Sequence, residues 1–493
     1  MHMTRTIAPR AGWRLLGPLA AAAALAACGT APVGPDYQVP ADAVARQSAA
    51  AQPFIGAGAG EAAADGAAAA VFDSAPLPDH WWRLYHDTRL DALVQQALEH
   101  NTDLRQAMAN LERAQALEDE ASGAARPSVA VNGGFSFGHA SGLSVLRPGD
   151  VPPDAFHYSA GASLSYQLDL FGQIRRAIEA AQAGTAGAQA AVDLVRVNVA
   201  AGTARAYAEV CSTGLRLRTS QASVRVQSDA LEVTRRLQAA GRAGAIDAAR
   251  AEAQLGQLQA ALPPLQAQRH SALFRLATLT GHLPQDFPRA LADCATPPQV
   301  AGVLPVGDGA ALIRRRPDIR QAERALAEAT ARIGVATADL YPKVSLGLFA
   351  ASAGNLSGLG RSDTLSWSLG PLISWSIPNT GTARARIAQA EAGTRAAAAK
   401  FDGTVLTALR ETETALSAYA HELDRRARLQ AARDASAQAA DQARALYRNG
   451  KTGYLDTLDA ERNLASSEAA LAASEAQVAD DQVTLFLALG GGW

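Results

Sequence analysis

The sequence predicts a mainly α-helical chain carrying four amphipathic β-strands, two in each of two related halves. Three observations predict it. Two Ala/Arg/Gln-rich stretches, about 173–240 and 382–449, read as helices that would each span roughly 100 Å at 1.5 Å per residue. Four short runs alternate apolar and polar residues with period 2, as a strand with one oily and one wet face does. The elements of the first half also recur in the second half in the same order, and a duplication of this kind organises the whole chain.

Length and charge bound the rest. The chain has 493 residues, a formal net charge of −2 and only 5% aromatic residues. No basic stripe favours nucleic acid and no acidic tail serves as a solvating arm. Alanine dominates the apolar fraction, and small side chains suit close helix packing.

The first element is a targeting segment over residues 1–27. Arg5, Arg10 and Arg14 precede a short apolar run, Leu15 to Ala27, which is too short for a usual membrane-spanning helix. The run ends Leu25-Ala26-Ala27-Cys28-Gly29. This resembles the lipobox of bacterial lipoproteins, which makes Cys28 the acylated first residue of the mature chain. Two or three acyl chains, at roughly 0.8 kcal/mol per buried methylene, would anchor it stably. Gly29 after the cysteine favours the outer membrane by resemblance to the sorting rule of enteric bacteria. Residues 28–79, rich in Ala, Gly and Pro, read as an extended linker from that anchor.

The first structural repeat is expected over 80–281. Its helix of about 88–125 leads to Pro127, which opens an alternating run at about 128–138. A second run, ASLSYQLDLF within about 160–171, ends at the turn signal Phe171-Gly172. The long helix then follows, and after a glycine turn a helix of about 245–281. Residues 282–309, rich in Pro and Gly, form a joint. The second repeat, 310–493, has a helix at about 317–340, strands at about 343–353 and 364–377, the second long helix, and a last helix at about 455–489. NTDLRQAMANLER matches RPDIRQAERALAE, and the segment from LQAAGRAGAID mirrors that from LYRNGKTGYLD. Two short helices laid end to end match one long helix, so the helices read as a tall wall. Cys211 and Cys294 remain, and a disulfide or two buried thiols fit them equally well.

The strands give the wall its meaning. Runs of about 9–13 residues match tilted membrane-spanning strands, with Trp, Phe, Tyr and Leu toward lipid and Ser, Asn, Gln and Gly toward water. Four strands cannot close a barrel, and lipid does not tolerate open sheet edges. Other copies of the chain must complete it, and three copies would give twelve strands around an open lumen. A soluble four-stranded cap on a helical stalk is the competing arrangement, and it leaves the paired wet and oily faces unexplained.

The chain resembles the TolC/OprM-like outer-membrane factors of tripartite efflux systems, in their lipoprotein (NodT-type) branch. The residues that carry this are Cys28 with Val33-Gly34-Pro35-Asp36-Tyr37, Trp81-Trp82 with Asp87, and Arg315-Arg316-Pro317-Asp318-Ile319. Ile333-Gly334 with Tyr341-Pro342, Gly453-Tyr454-Leu455-Asp456 and the terminal Ala488-Leu489-Gly490-Gly491-Gly492-Trp493 add to it. The resemblance covers essentially the whole mature chain. It implies a homotrimer in which long antiparallel helices form a trimeric α-barrel tunnel, continuous with a twelve-stranded transmembrane β-barrel in outer-membrane lipid. A periplasmic adaptor and an inner-membrane pump would dock at the far end.

The segment resembling the family's periplasmic aperture is YLDTLDAER. Tyr454 opens it, Leu455 would narrow the hole, and Asp459 would form an acidic ring on the trimer axis. Arg462 is placed to pair with Asp459 or a neighbouring helix, with Arg448 and Lys451 across the turn. Gly244, Asp247 and Gly453 mark the turns expected to contact the adaptor. Three carboxylates on one axis repel one another and attract cations, so the ring would favour opening unless bridged.

No catalytic, metal-ligating or cofactor-binding constellation is present: the chain has no His-Glu-x-x-His, paired Cys-x-x-Cys, strand-borne Gly-x-Ser-x-Gly or phosphate loop. Two non-enzymatic alternatives stand beside small-molecule efflux, namely the channel of a type I polypeptide export system and a non-conducting lipoprotein scaffold. The lipid anchor and the VGPDY stretch favour efflux.

Overall fold

The computed structural model describes residues 31–58, 71–139, 141, 148–149, 151–300, 302–375 and 380–492. Cys28 lies outside them. Beyond a single turn at Ile55–Gly58, the α-helices are α1 (Thr88–His100), α2 (Thr102–Gly123), α3 (Gln173–Ala239), α4 (Ala245–Ala260), α5 (Leu262–Leu279), α6 (Gly309–Arg315), α7 (Pro317–Ala338), α8 (Thr380–Arg448) and α9 (Tyr454–Ala488). The long strands are β1 (Ser128–Gly138), β2 (Ala155–Leu168), β3 (Lys343–Asn355) and β4 (Leu365–Ser374). Among the described residues, no helix is long and apolar enough to cross a membrane. The chain forms two compact units, one of residues 1–39, 113–186 and 324–398, the other of 40–112, 187–323 and 399–493.

The first unit is built on an antiparallel sheet of order β1-β2-β3-β4. Its register aligns the alternation of all four strands. Val131 pairs with Ala162, which pairs with Ala350, which pairs with Trp367; Leu164, Leu348 and Leu369 line up beside them. One face is therefore apolar from edge to edge, and it is uncovered: Val131 is 81% exposed, Phe135 77% and Trp367 72%. The other face carries Ser128, Asn132, Ser163, Gln167, Ser345 and Ser368, with Phe349 and Leu372 as its large apolar exceptions. On the apolar face Tyr158 is buried, and its hydroxyl bonds Ser352 Oγ (2.9 Å) and Thr364 Oγ1 (3.0 Å).

β2 begins five residues earlier than the alternation predicts and stops at Leu168, short of Phe171. Asp169 leaves the strand to cap α3, accepting from the N–H groups of Ile174 (3.0 Å) and Arg175 (2.9 Å). The predicted end of β4, residues 376–377, lies outside the described residues.

Residues 31–39 do not hang free as a linker. The Val33 N–H donates to Phe171 O (3.0 Å). Arg176, 3% exposed, donates to Val33 O (3.1 Å), Gly34 O (3.1 Å), Asp36 (2.7 Å) and Glu179 (2.7 Å). Gly34 (φ 88°) lies so close to Gly334 that a Cβ would meet its Cα at 2.5 Å. Only two glycines allow this backbone approach.

In the second unit the predicted first helix is broken at Asn101, whose side chain accepts from Asp103 N–H (2.9 Å) and Leu104 N–H (3.1 Å) and donates to Leu279 O (3.1 Å). The predicted 245–281 helix is likewise two helices, divided at Ala261. Pro263 and Pro264 have no N–H to give to the preceding turn. Residues 40–58 are also tied down. Val44 N–H reaches Asp402 (2.9 Å), and Glu413 accepts from Ile55 (2.8 Å) and Gly56 (2.9 Å). Phe72–Asp73 pairs in parallel with Leu304–Pro305 in the expected joint. Cys211 and Cys294 are bonded, joining α3 to that joint.

The core around the joint packs Trp81 on Phe486 at 4.8 Å, beside Trp82 and Tyr85. Asp87 caps α1 and accepts from the Tyr207 hydroxyl (2.5 Å). Arg316, 8% exposed, forks onto Asp318 (3.0 and 2.7 Å), reaches Glu411 (3.0 Å), and donates to Ala488 O (2.9 Å) at the end of α9.

Candidate functional site

Two turns build the site, one between α3 and α4 and one between α8 and α9. They close with the same pair of bonds. Arg242 N–H donates to Leu237 O (2.8 Å) and Gly241 N–H to Gln238 O (2.9 Å); Lys451 N–H donates to Leu446 O (3.0 Å) and Gly450 N–H to Tyr447 O (2.9 Å). This Schellman closure needs a left-handed residue at its pivot, supplied by Gly241 (φ 72°) and Gly450 (φ 66°). Gly244 and Gly453, on which the sequence reading places the turns, are N-caps at ordinary φ of −78° and −74°. The steric need for glycine therefore falls three residues earlier in each turn. Asp247 accepts from Gly244 N–H (3.3 Å) and so fastens the start of α4.

The first turns of α9 sort their residues into two stripes, as helical spacing requires. Leu455, Asp459 and Arg462 are exposed on one, with Leu455 at 51%. Tyr454, Thr457, Leu458 and Glu461 are buried on the other. The Tyr454 ring packs with Leu231 of α3, Ala251 and Leu255 of α4, and Leu458, and stands 5.6 Å from Tyr447. Its hydroxyl is buried with no hydrogen-bond partner. The nearby Gln227 amide already donates to Ala251 O and the Thr234 hydroxyl to Ala230 O. Burial pushes the Tyr454 phenol up.

No ion pair joins Asp459 and Arg462 within the chain, one of the two pairings that the position of Arg462 allows. Both are exposed on the outer stripe, where water screens a pair worth only about 0–1 kcal/mol and does not hold two long side chains together. Arg448 is exposed and its Nε donates to Arg444 O (3.3 Å).

The buried carboxylate is Glu461, which the sequence reading left without a role. It is 8% exposed. Arg444 Nε lies 3.3 Å from one oxygen, off the line that a hydrogen bond needs, and the other oxygen has no partner. Arg444 also bonds Asp441 (2.8 Å). Glu461 and Arg444 stand between two cavities of about 390 and 240 Å³, walled by α3, α8 and α9 and, for the smaller, α4. Burial raises the Glu461 carboxyl above the usual range and Arg444 opposes the rise. A Glu within DAER is read from sequence as one more solvated helix charge, and only the packing of four helices reveals otherwise.

The profile of the family described as Outer membrane efflux protein matches residues 93–282 and 310–491. Nodulation protein T of Rhizobium leguminosarum bv. trifolii is 30% identical over 419 residues, covering 84% of this chain and 88% of that protein. The Solvent efflux pump outer membrane protein SrpC of Pseudomonas putida is 30% identical over 469 residues, covering 93% of this chain and 95% of that protein. Among solved structures, the outer-membrane channel OprN superposes with a TM-score of 0.84 at 35% identity, covering 94% of this chain and 99% of that one.

Proposed function

Because this chain belongs to the outer membrane efflux protein family, we propose that it is the passive outer-membrane conduit of an RND-type tripartite efflux system. Three copies complete one another. Each contributes four strands to a twelve-stranded barrel and its helices to a periplasmic tunnel. Cys28, once acylated, anchors each copy in outer-membrane lipid. A periplasmic adaptor and an inner-membrane pump engage the helix tips, with Gly244, Asp247 and Gly453 in the turns they meet. The cargo is a small molecule, a class to which the solvents named for the Pseudomonas putida relative belong.

The observation that carries this reading is the sheet. Its apolar face is uncovered from β1 to β4, its opposite face is polar, and its two outer strands are unpaired among the described residues. Lipid satisfies the first feature, an aqueous lumen the second, and neighbouring copies the third.

Leu455, Asp459 and Arg462 on the outer stripe of α9, with Tyr454 and Arg448 at the turn, form the gate. Around the axis three Asp459 carboxylates repel, and Arg462 of a neighbouring copy offsets that repulsion. The double substitution Asp459→Ala with Arg462→Ala is expected to raise single-channel conductance in planar bilayers. Unchanged conductance refutes the gate, and purified lipidated chain that is monomeric and silent in bilayers refutes the conduit.

A further inference from the structure

We propose that Glu461 is a proton-binding site that sets how firmly α8 and α9 hold to α3 and α4 at the turns. The proposal rests on the gating role given to these turns and adds a chemical control to it. Glu461 does not belong to the exposed stripe of Leu455, Asp459 and Arg462. It lies on the buried stripe, between two cavities walled by four helices.

The site is built to prefer a proton. A carboxylate out of water needs partners for its lone pairs. One oxygen of Glu461 has none, and the other meets only the misaligned Arg444 Nε. Arg444 is itself shared with Asp441. The other charged and titratable groups facing these cavities do not repair this. From α8 come Arg433, Tyr447 and Arg448, from α3 comes Asp229, and from α9 itself come Tyr454 and Glu468. The Arg433 guanidinium stands 3.8 Å from Glu468 and is engaged there. α4 brings only uncharged Gln254 and Leu258 to the wall. The two cavities give the protonated carboxyl room for a water to bond.

The sign follows from linkage. Where the helices separate, Glu461 reaches water and titrates as an ordinary carboxyl. In the packed tip burial raises it. The packed tip therefore binds the proton more tightly than the separated one. The stabilisation is complete below the ordinary value and is lost as pH rises through the raised one. Acid closes the tip and alkali loosens it. This is opposite to a group held by a strong charge partner, such as an aspartate in a well-formed ion pair.

The test uses the full-length lipidated chain in detergent. Hydrogen exchange of peptides covering residues 440–462 is followed from pH 5 to pH 8 and corrected for intrinsic exchange. Wild-type protection is expected to fall with pH, by about tenfold for each unit that the carboxyl is raised. Glu461→Gln, neutral at every pH and of the same shape, is expected to hold the acid-form protection throughout. Arg444→Met is expected to move the wild-type response to higher pH, since the one opposing charge is gone. A pH response unchanged in Glu461→Gln, or unmoved in Arg444→Met, overturns the proposal. Conductance separates it from the reading beneath. A pH-dependent tip in a chain that does not conduct supports the proton site and removes the channel. A conducting chain whose tip protection ignores pH removes the proton site and leaves the channel.

Discussion

Tyr454 offers the clearest test of how the tip is held. Its ring is buried against Leu231, Ala251 and Leu458, while its hydroxyl makes no hydrogen bond. The two parts of the side chain can therefore be separated by substitution. Tyr454→Ala deletes a buried aromatic, and changes of that size cost about 3–5 kcal/mol when the site cannot collapse. If the ring is buried only while α9 packs on α3 and α4, the whole cost falls on the closed tip. At 1.4 kcal/mol per factor of ten, the closed-to-open ratio drops by about two to three and a half orders of magnitude. Tyr454→Phe removes a buried hydroxyl that has no partner, so it costs the closed tip nothing and favours it by about 1–3 kcal/mol. The assay is open probability and conductance in planar bilayers, with trimer yield as the control for folding. The expected order is Phe no more open than wild type, with Ala far more open. An Ala variant as closed as wild type, or a Phe variant as open as Ala, refutes the packing argument.

Two further outcomes follow from the networks. Arg316→Met removes the fork on Asp318 and the bond to Ala488 O, but Thr412 still donates to that carbonyl at 3.2 Å. The half-exposed Glu411 contact counts for little, so the cost is about 3 kcal/mol. Hydrogen exchange of residues 484–492 should then rise about a hundredfold, while Arg316→Lys, charged but unable to fork, should fall between. Arg176→Ala frees Val33 and Gly34 at once and should make residues 31–39 the first site of proteolytic nicking, with the sheet still folded. Unchanged protection of that segment shows that other contacts hold it.

The strands were legible because two-residue alternation contrasts an apolar face with a polar one along each run. No tertiary partner is needed to see this. The boundaries were not, since Asp169 serves the following helix and not the strand it continues in sequence. The tip turns were legible from their glycines, but the exposed positions three residues later drew attention from Gly241 and Gly450, where φ is positive. Leu455, Asp459 and Arg462 fell where helical spacing puts them. Glu461 did not, because its burial depends on α3 and α4, which are more than two hundred residues away in sequence. Arg176 was hidden for the same reason: nothing in IRRAIEAAQ says that two distant glycines will let the chain close over it.

The bond between Cys211 and Cys294 makes the two halves of the chain covalently unequal. It closes a covalent ring spanning 83 residues, and the ring includes the distal part of α3, its turn, and α4 and α5. A ring of that size removes about 4–5 kcal/mol of chain entropy from the unfolded arm. The arm made by α8 and α9 contains no cysteine, so only side-chain packing and buried polar groups hold its base and tip. The first arm therefore resists unfolding by that margin, and the second has no such link. In the trimer proposed above, three arms would carry this added link and three would not, so local unfolding would reach the α8–α9 arms first.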